Sequence, residues 1–220
     1  MQKLKFVLIL LIASFLLSSA AYADDTYYSK QWYLDSIKAP DAWKITKGSE
    51  AVVVAVIDTG VDIRNPDLAG NIWVNSDEIP NNKIDDDRNG FIDDINGWNF
   101  VEDVADPTPV VTTGYNSEAI SHGTFIAGLI SAKHDNNYGI KGITDKVKIM
   151  GLRGLDSKGI GDSETVSKAI NYAIDNGAQI INLSFGGTDK NGELKAAIEN
   201  ANRWGILVVA AAGNGAAGKN

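Results

Sequence analysis

Residues 51–62 read Ala51-Val52-Val53-Val54-Ala55-Val56-Ile57-Asp58-Thr59-Gly60-Val61-Asp62, seven apolar residues running into an aspartate, with a glycine two positions on. An unbroken, largely β-branched run of this length, closed by Gly60, predicts a strand buried on both faces with Asp58 at its C-terminal tip. Ligands of open α/β sheets bind at such tips. A lone aspartate there could equally close a turn or cap a helix.

The rest of the chain repeats the pattern. Residues 147–155, 178–183 and 206–212 are further apolar strand candidates. Between them, residues 163–176 carry Val166, Ala169, Ile170, Ala173 and Ile174 at helical spacing and end at Gly177. Residues 193–204 repeat the stripe through Leu194, Ala197, Ile198 and Ala201. Residues 121–133 place Phe125, Ile126, Leu129 and Ile130 on one helical face, with Gly123, Ala127 and Gly128 permitting close packing. Strand alternating with helix predicts one α/β domain: a mostly parallel twisted sheet with helices on both faces. Residues 24–47 are polar and aromatic-rich, with Pro40 ahead of a helical turn over 41–46, and form an N-terminal arm.

Composition narrows the function classes. At 44% hydrophobic and 22% charged, the 220 residues are ordinary for a globular domain. Lys3 and Lys5 precede an apolar stretch over 6–17, and Ala21-Tyr22-Ala23 has the form of a cleavage site. Residues 1–23 therefore predict a secretory signal peptide, cut after Ala23, and a location in the medium or the periplasm. An uncleaved membrane anchor is the alternative. With no cysteine, any covalent or ionic tie must be something other than a disulfide, such as a metal. Removing the two signal lysines takes the formal balance from 20 − 28 to 18 − 28, or −10. That charge argues against nucleic acid or an anionic membrane surface as a partner and is compatible with bound cations. A monomer is expected.

Two features suggest chemistry. Asp85, Asp87, Asn89 and Asp93 occupy positions 1, 3, 5 and 9 of an acidic loop with Gly90 at position 6, the EF-hand-type calcium pattern. Asn96 at position 12 lacks the bidentate carboxylate, so a solvated acidic turn is the competing reading. His122 is one of two histidines and is expected in the first turn of its helix, where the dipole disfavours the protonated ring. The strand tips bring Asp58, Ser184 and Asn214 to one edge with His122. A carboxylate, an imidazole and an amide are three of the four parts of acyl transfer by an activated serine.

The segments AVIDTGVD around Asp58, SHGTFIAGLIS around His122, INLSFGG over 181–187 and VVAAAGNG over 208–215 resemble the subtilisin-like serine peptidases, on their thermitase-like side. The resemblance implies hydrolysis of polypeptides by an Asp-His-Ser triad: Asp58 and His122 as its first two members and Asn214 as the oxyanion donor. It implies that Gly159 and Gly161, with Ser184, Phe185 and Gly186, clamp a peptide as an added strand. It implies one or two structural calcium ions. The first would be held by the side chains of Asp25, Asp106 and Asn136 and the carbonyls of Lys133, Tyr138 and Ile140. The acidic loop would be the second.

Phe125 and Asn65 stand where many relatives have histidines. The family's serine lies in a G-T-S-x-A motif, and residues 24–220 contain none, so they correspond to the N-terminal portion of the peptidase domain and are expected to be inactive alone. Two alternatives stay open. One is a catalytically dead, calcium-binding module that still binds peptides. The other takes Asp58-Thr59-Gly60 as the signature of an aspartic protease, which needs a second carboxylate.

Overall fold

The computed structural model describes residues 24–187 and 191–214. The signal-peptide segment 1–23 and Gly215 of the last motif lie outside the described residues. Five strands form one parallel sheet in the order β2-β3-β1-β4-β5. They are β1 (Val53–Asp58), β2 (Gly97–Asn99), β3 (Lys148–Arg153), β4 (Ile180–Leu183) and β5 (Leu207–Ala210). Among the described residues five α-helices accompany them: α1 (Trp32–Ser36), α2 (Ala39–Trp43), α3 (Ser117–Ser131), α4 (Ser163–Asp175) and α5 (Gly192–Arg203).

The opening segment forms the central strand. The alternation of β1 splits its residues between two cores: Ala55 and Ile57 pack with Val166, Ala169, Ile170 and Ala173 of α4 and Ala197 and Ala201 of α5. Val54 and Val56 pack with Ala127 of α3, Val61 and Leu68 on the other face. Helices therefore cover both faces, as the double-sided apolar run requires. The chain leaves β1 toward β2 and β3 on one side, then crosses back to β4 and β5 on the other. Such a reversal opens a crevice at the carboxyl ends of the strands, next to Asp58.

The structure adds one strand and corrects three expectations. β2 was not legible, because its three residues lie inside the acidic, irregular stretch. It forms because Gly97 has no side chain: a Cβ there would meet the Gly151 carbonyl oxygen at 1.9 Å. The third helix also starts earlier than the apolar period suggests, at Ser117, because Asn116 caps it by accepting from the Glu118 and Ala119 N–H groups. His122 consequently sits in the second turn, beyond the reach of the terminal field. Phe125, expected on the buried face, is 58% exposed, and the face that packs on the sheet is made by Gly123, Ala127 and Ser131.

Candidate active site

Asp58 ends β1 and is buried. Its carbonyl accepts from the Gly154 and Leu155 N–H groups at 2.9 and 3.0 Å, which anchors the strand tip to the segment after β3. Its carboxylate accepts from the Thr59 N–H at 2.8 Å and meets Nδ1 of His122 at 2.9 and 3.0 Å. The imidazole is supplied by α3, which comes this close because Gly123 has no side chain: a Cβ there would meet the Gly60 oxygen at 2.3 Å and the Asp58 Cβ at 2.8 Å. Gly60 in turn has φ 116°, and its Val61 neighbour donates to the Pro107 carbonyl, folding the loop back beneath the helix. The His122 ring is part-exposed while its partner is buried. The carboxylate thus fixes the tautomer and orientation of the ring and leaves Nε2 free to take a proton. Asp58 meets an imidazole here, not the second carboxylate that an aspartic protease needs. In the β1–β3 register Asp58 lies beside Arg153, which is fully buried and ion-paired with Glu102.

The predicted clamp residues stand at the same edge. Gly159 has φ 80° and comes against Ala119 of α3, where an added Cβ would lie 3.2 Å away. Gly161 passes over Leu155 and the Gly154 carbonyl, leaving no room for a Cβ. Ahead of them in the same loop, Asp156 accepts from the Ile160 and Lys158 N–H groups, which hold its carboxyl below the usual range. Across the edge, the Asn182 amide donates to Ser184 Oγ at 2.8 Å, and Phe185 packs against the main core. The Ala211 N–H donates to the Leu183 carbonyl, which runs the strand after β5 alongside 184–186 and leaves Asn214 exposed beyond its end. On the opposite flank of α3, Phe125, Ile120, Val111, Tyr138 and Ile140 line a groove of about 640 Å³.

The metal-ligand expectations divide. Asp25 is buried and accepts from the Asp135 and Asn136 N–H groups at 2.9 Å each, so it does join the N-terminal arm to the 133–140 loop. Among the described residues no hydrogen bond links Asp106 to them. Its carboxylate accepts from the Thr108 N–H two residues on, closing its own turn. Asp67 takes that place: the Asn136 side-chain amide and the Ile140 N–H donate to it at 2.9 and 2.8 Å. Burial, together with the nearby charge of Asp25, pushes the Asp67 carboxyl above the ordinary range. Sequence reasoning missed Asp67; the available signal was its place in the turn Pro66–Leu68 capped by Asn65. Among the described residues no hydrogen bond ends on the carbonyls of Lys133, Tyr138 or Ile140. Beside this cluster Lys141 Nζ pairs with Asp24 and Asp135 at 2.9 and 2.7 Å.

The acidic loop also regroups. Asp85 accepts from the Asn89 and Gly90 N–H groups of its own turn, and Asp93 reaches back to those of Asn82 and Lys83. Asp87 instead gathers with Glu78 and Asp94, their carboxylate oxygens within 4.8 Å of one another. Asn89 does not add an oxygen to that group; its amide donates to Asp87 and Asp94. The Tyr172 hydroxyl, held far above its usual range by burial and by Asp94, donates to the fully buried Asp94.

Residues 49–220 match the model of the Subtilase family. The chain belongs to the subtilase family. It is 38% identical over 192 residues to thermitase of Thermoactinomyces vulgaris, covering 87% of this chain and 57% of thermitase. It is 36% identical over 197 residues to subtilisin-like protease 1 of Plasmodium berghei, covering 88% and 31%. It is 36% identical over 193 residues to halolysin of Haloferax mediterranei, covering 87% and 32%. This subtilase chain thus spans between about a third and about three fifths of the relatives it matches. Among the described residues no helix is long and apolar enough to cross a membrane.

Proposed function

We propose that this chain is the N-terminal portion of a secreted serine endopeptidase that hydrolyses polypeptides, with Asp58 orienting His122 as general base. The observation that carries this reading is the contact of His122 Nδ1 with both Asp58 oxygens, on a ring that stays part-exposed. The nucleophilic serine would come from beyond residue 220, and Asn214 would donate to the oxyanion. The segments 159–161 and 184–186 would hold the substrate main chain as an added strand. Residues 1–23 would direct export, and the mature protein would act as a monomer without nucleic acid or membrane.

The test is the longer protein, read on through codon 220 and assayed on a denatured protein substrate. Hydrolysis blocked by a serine-directed phosphonofluoridate, and lowered about 10⁴-fold by Asp58→Asn, supports the reading. Hydrolysis that survives His122→Ala overturns it.

Calcium fits the first cluster better than the predicted ligand set did. Asp25, Asp67 and the Asn136 side chain, with the carbonyls of Lys133, Tyr138 and Ile140, offer only hard oxygen donors, and Asp25 and Asp67 are buried like charges, with Lys141 Nζ 4.0 Å from Asp25. A bound ion would tie the N-terminal arm to the body in a chain without disulfides. The second cluster, Glu78, Asp87 and Asp94, would hold a further ion through carboxylate oxygens.

A further inference from the structure

We propose that Thr59 is a positioning residue: its hydroxyl latches the helix that carries His122 to the strand tip that carries Asp58. The inference rests on the Asp58–His122 pairing proposed above and adds what sets its geometry.

Thr59 is 2% exposed, and its Oγ1 lies 2.6 Å from the Ala119 carbonyl and 3.3 Å from Asp58 Oδ1. A hydroxyl has one hydrogen to donate, and the shorter contact takes it. Ala119 is inside α3, three residues before His122, so its carbonyl already has a partner in the helical ladder. The Thr59 bond is therefore not needed to satisfy the helix. What it does is tie together two elements that meet through glycine.

That tie matters because the contact between α3 and the Asp58 loop is smooth. Gly123 rests on Gly60 and on the Asp58 Cβ, with no side chain to key the register. Two hydrogen bonds flank His122 along the helix. One is Thr59 Oγ1 to the Ala119 carbonyl, and the other is the Asp62 N–H to Thr124 Oγ1 at 2.9 Å. Between them they stop the helix from sliding or turning on the loop. Thr59 has a second hold, since its own N–H donates to the Asp58 carboxylate. One residue thus addresses both members of the pair. A shift of about 1 Å in a catalytic group costs on the order of 10²-fold in rate, so a bond that fixes this register has leverage beyond its own strength.

The experiment is NMR of the histidine side chains in the whole chain, which has two histidines, His122 and His134. The readout is the deshielded Nδ1–H proton of His122 and its rate of exchange with water, with His134 as an internal reference. Thr59→Val keeps the shape and removes the hydroxyl; Thr59→Ser keeps the hydroxyl. We expect the Val variant to exchange this proton about fivefold faster or more, at unchanged helix content, and the Ser variant to restore it. A Val variant that matches the parent, or a Ser variant that behaves like Val, overturns the latch. A signal that is lost in Asp58→Asn yet unchanged in Thr59→Val overturns the latch and leaves the pair standing. No such signal in the parent overturns both. If Thr59→Val does not fold, the Thr59 hydroxyl proton of the parent decides: a latched hydroxyl exchanges slowly enough to be seen, whereas a free one is not observed.

Discussion

β1 and β5 belong to the same parallel sheet, separated only by β4, and are made of the same kinds of residue. From Val54 to Asp58 every residue of β1 is buried, because α3 covers one face and α4 the other. In β5, Leu207 and Val209 are 59% and 46% exposed. Among the described residues, the half of the site built on β1 is backed by helices on both faces and tied by hydrogen bonds at Asp58, with the His122 ring part-exposed. Within the same residues, β5 and Asn214 beyond it are exposed. Apolar sequence makes a strand in both places, but only packing on both faces makes a rigid platform for a side chain.

The largest effect should separate the two strands. Ile57→Ala removes a fully buried side chain between β1 and α4 and should cost about 2–5 kcal/mol in urea unfolding. Leu207→Ala in β5 should stay within about 0.5 kcal/mol, and equal costs would break the comparison.

Next comes calcium, which should stabilise the arm and not β5. At 100-fold excess over its dissociation constant an ion that binds only the folded chain contributes about 2.7 kcal/mol. A calcium-dependent rise in melting temperature should disappear in Asp67→Asn and persist in Asp106→Asn. The reverse result would reinstate Asp106 as the ligand.

Gly123→Ala sharpens the account of the half built on β1. Alanine is the better helix former, yet its methyl would press on the Gly60 oxygen and the Asp58 Cβ. The expected net loss is about 1–3 kcal/mol, read by thermal melting, with the His122 resonances displaced. Gly177→Ala is not an equivalent control, because Gly177 has φ 72°.

The smallest effect compares the caps of α4 and α5. Asp162 caps α4 by accepting from the N–H and the hydroxyl of Thr165, which hold its carboxyl below the ordinary range. Its contribution is therefore complete above the unfolded value and is lost as pH falls through the lower, folded one. Asp162→Ala should cost about 1 kcal/mol at neutral pH, and the difference should fade below about pH 4. Asn191, which caps α5 through the Glu193 and Leu194 N–H groups, carries no such titration, so Asn191→Ala should cost a similar amount at both pH values.

Much of this was legible in the residues. The apolar run before Asp58, the stripe from Val166 to Ile174 and the join at Gly177 are local signals, and local sterics and periodicity decide them. At the first metal cluster the deciding contacts were long-range. Asp67 and Asn136 are 69 residues apart and Asp25 and Asn136 are 111 apart, so no spacing announces that they meet. Asp106 is an equally good oxygen donor by type and is spent on its own turn. In the acidic loop, alternating carboxylates suggested convergence on one point, yet backbone N–H groups claimed Asp85 and Asp93 first.

By itself the sequence determined the class of fold, the order of its elements and the kinds of groups at one edge of the sheet. It did so because strand and helix patterns, glycine joints and caps depend on neighbours a few residues away. The tertiary structure decided which oxygens share a site, that His122 sits a turn deeper than its motif suggests, and, among the described residues, that β1 is covered on both faces while β5 is exposed. Those outcomes depend on how closely two backbones can approach, as at Gly123 against Gly60, and that distance is a property of the packed chain.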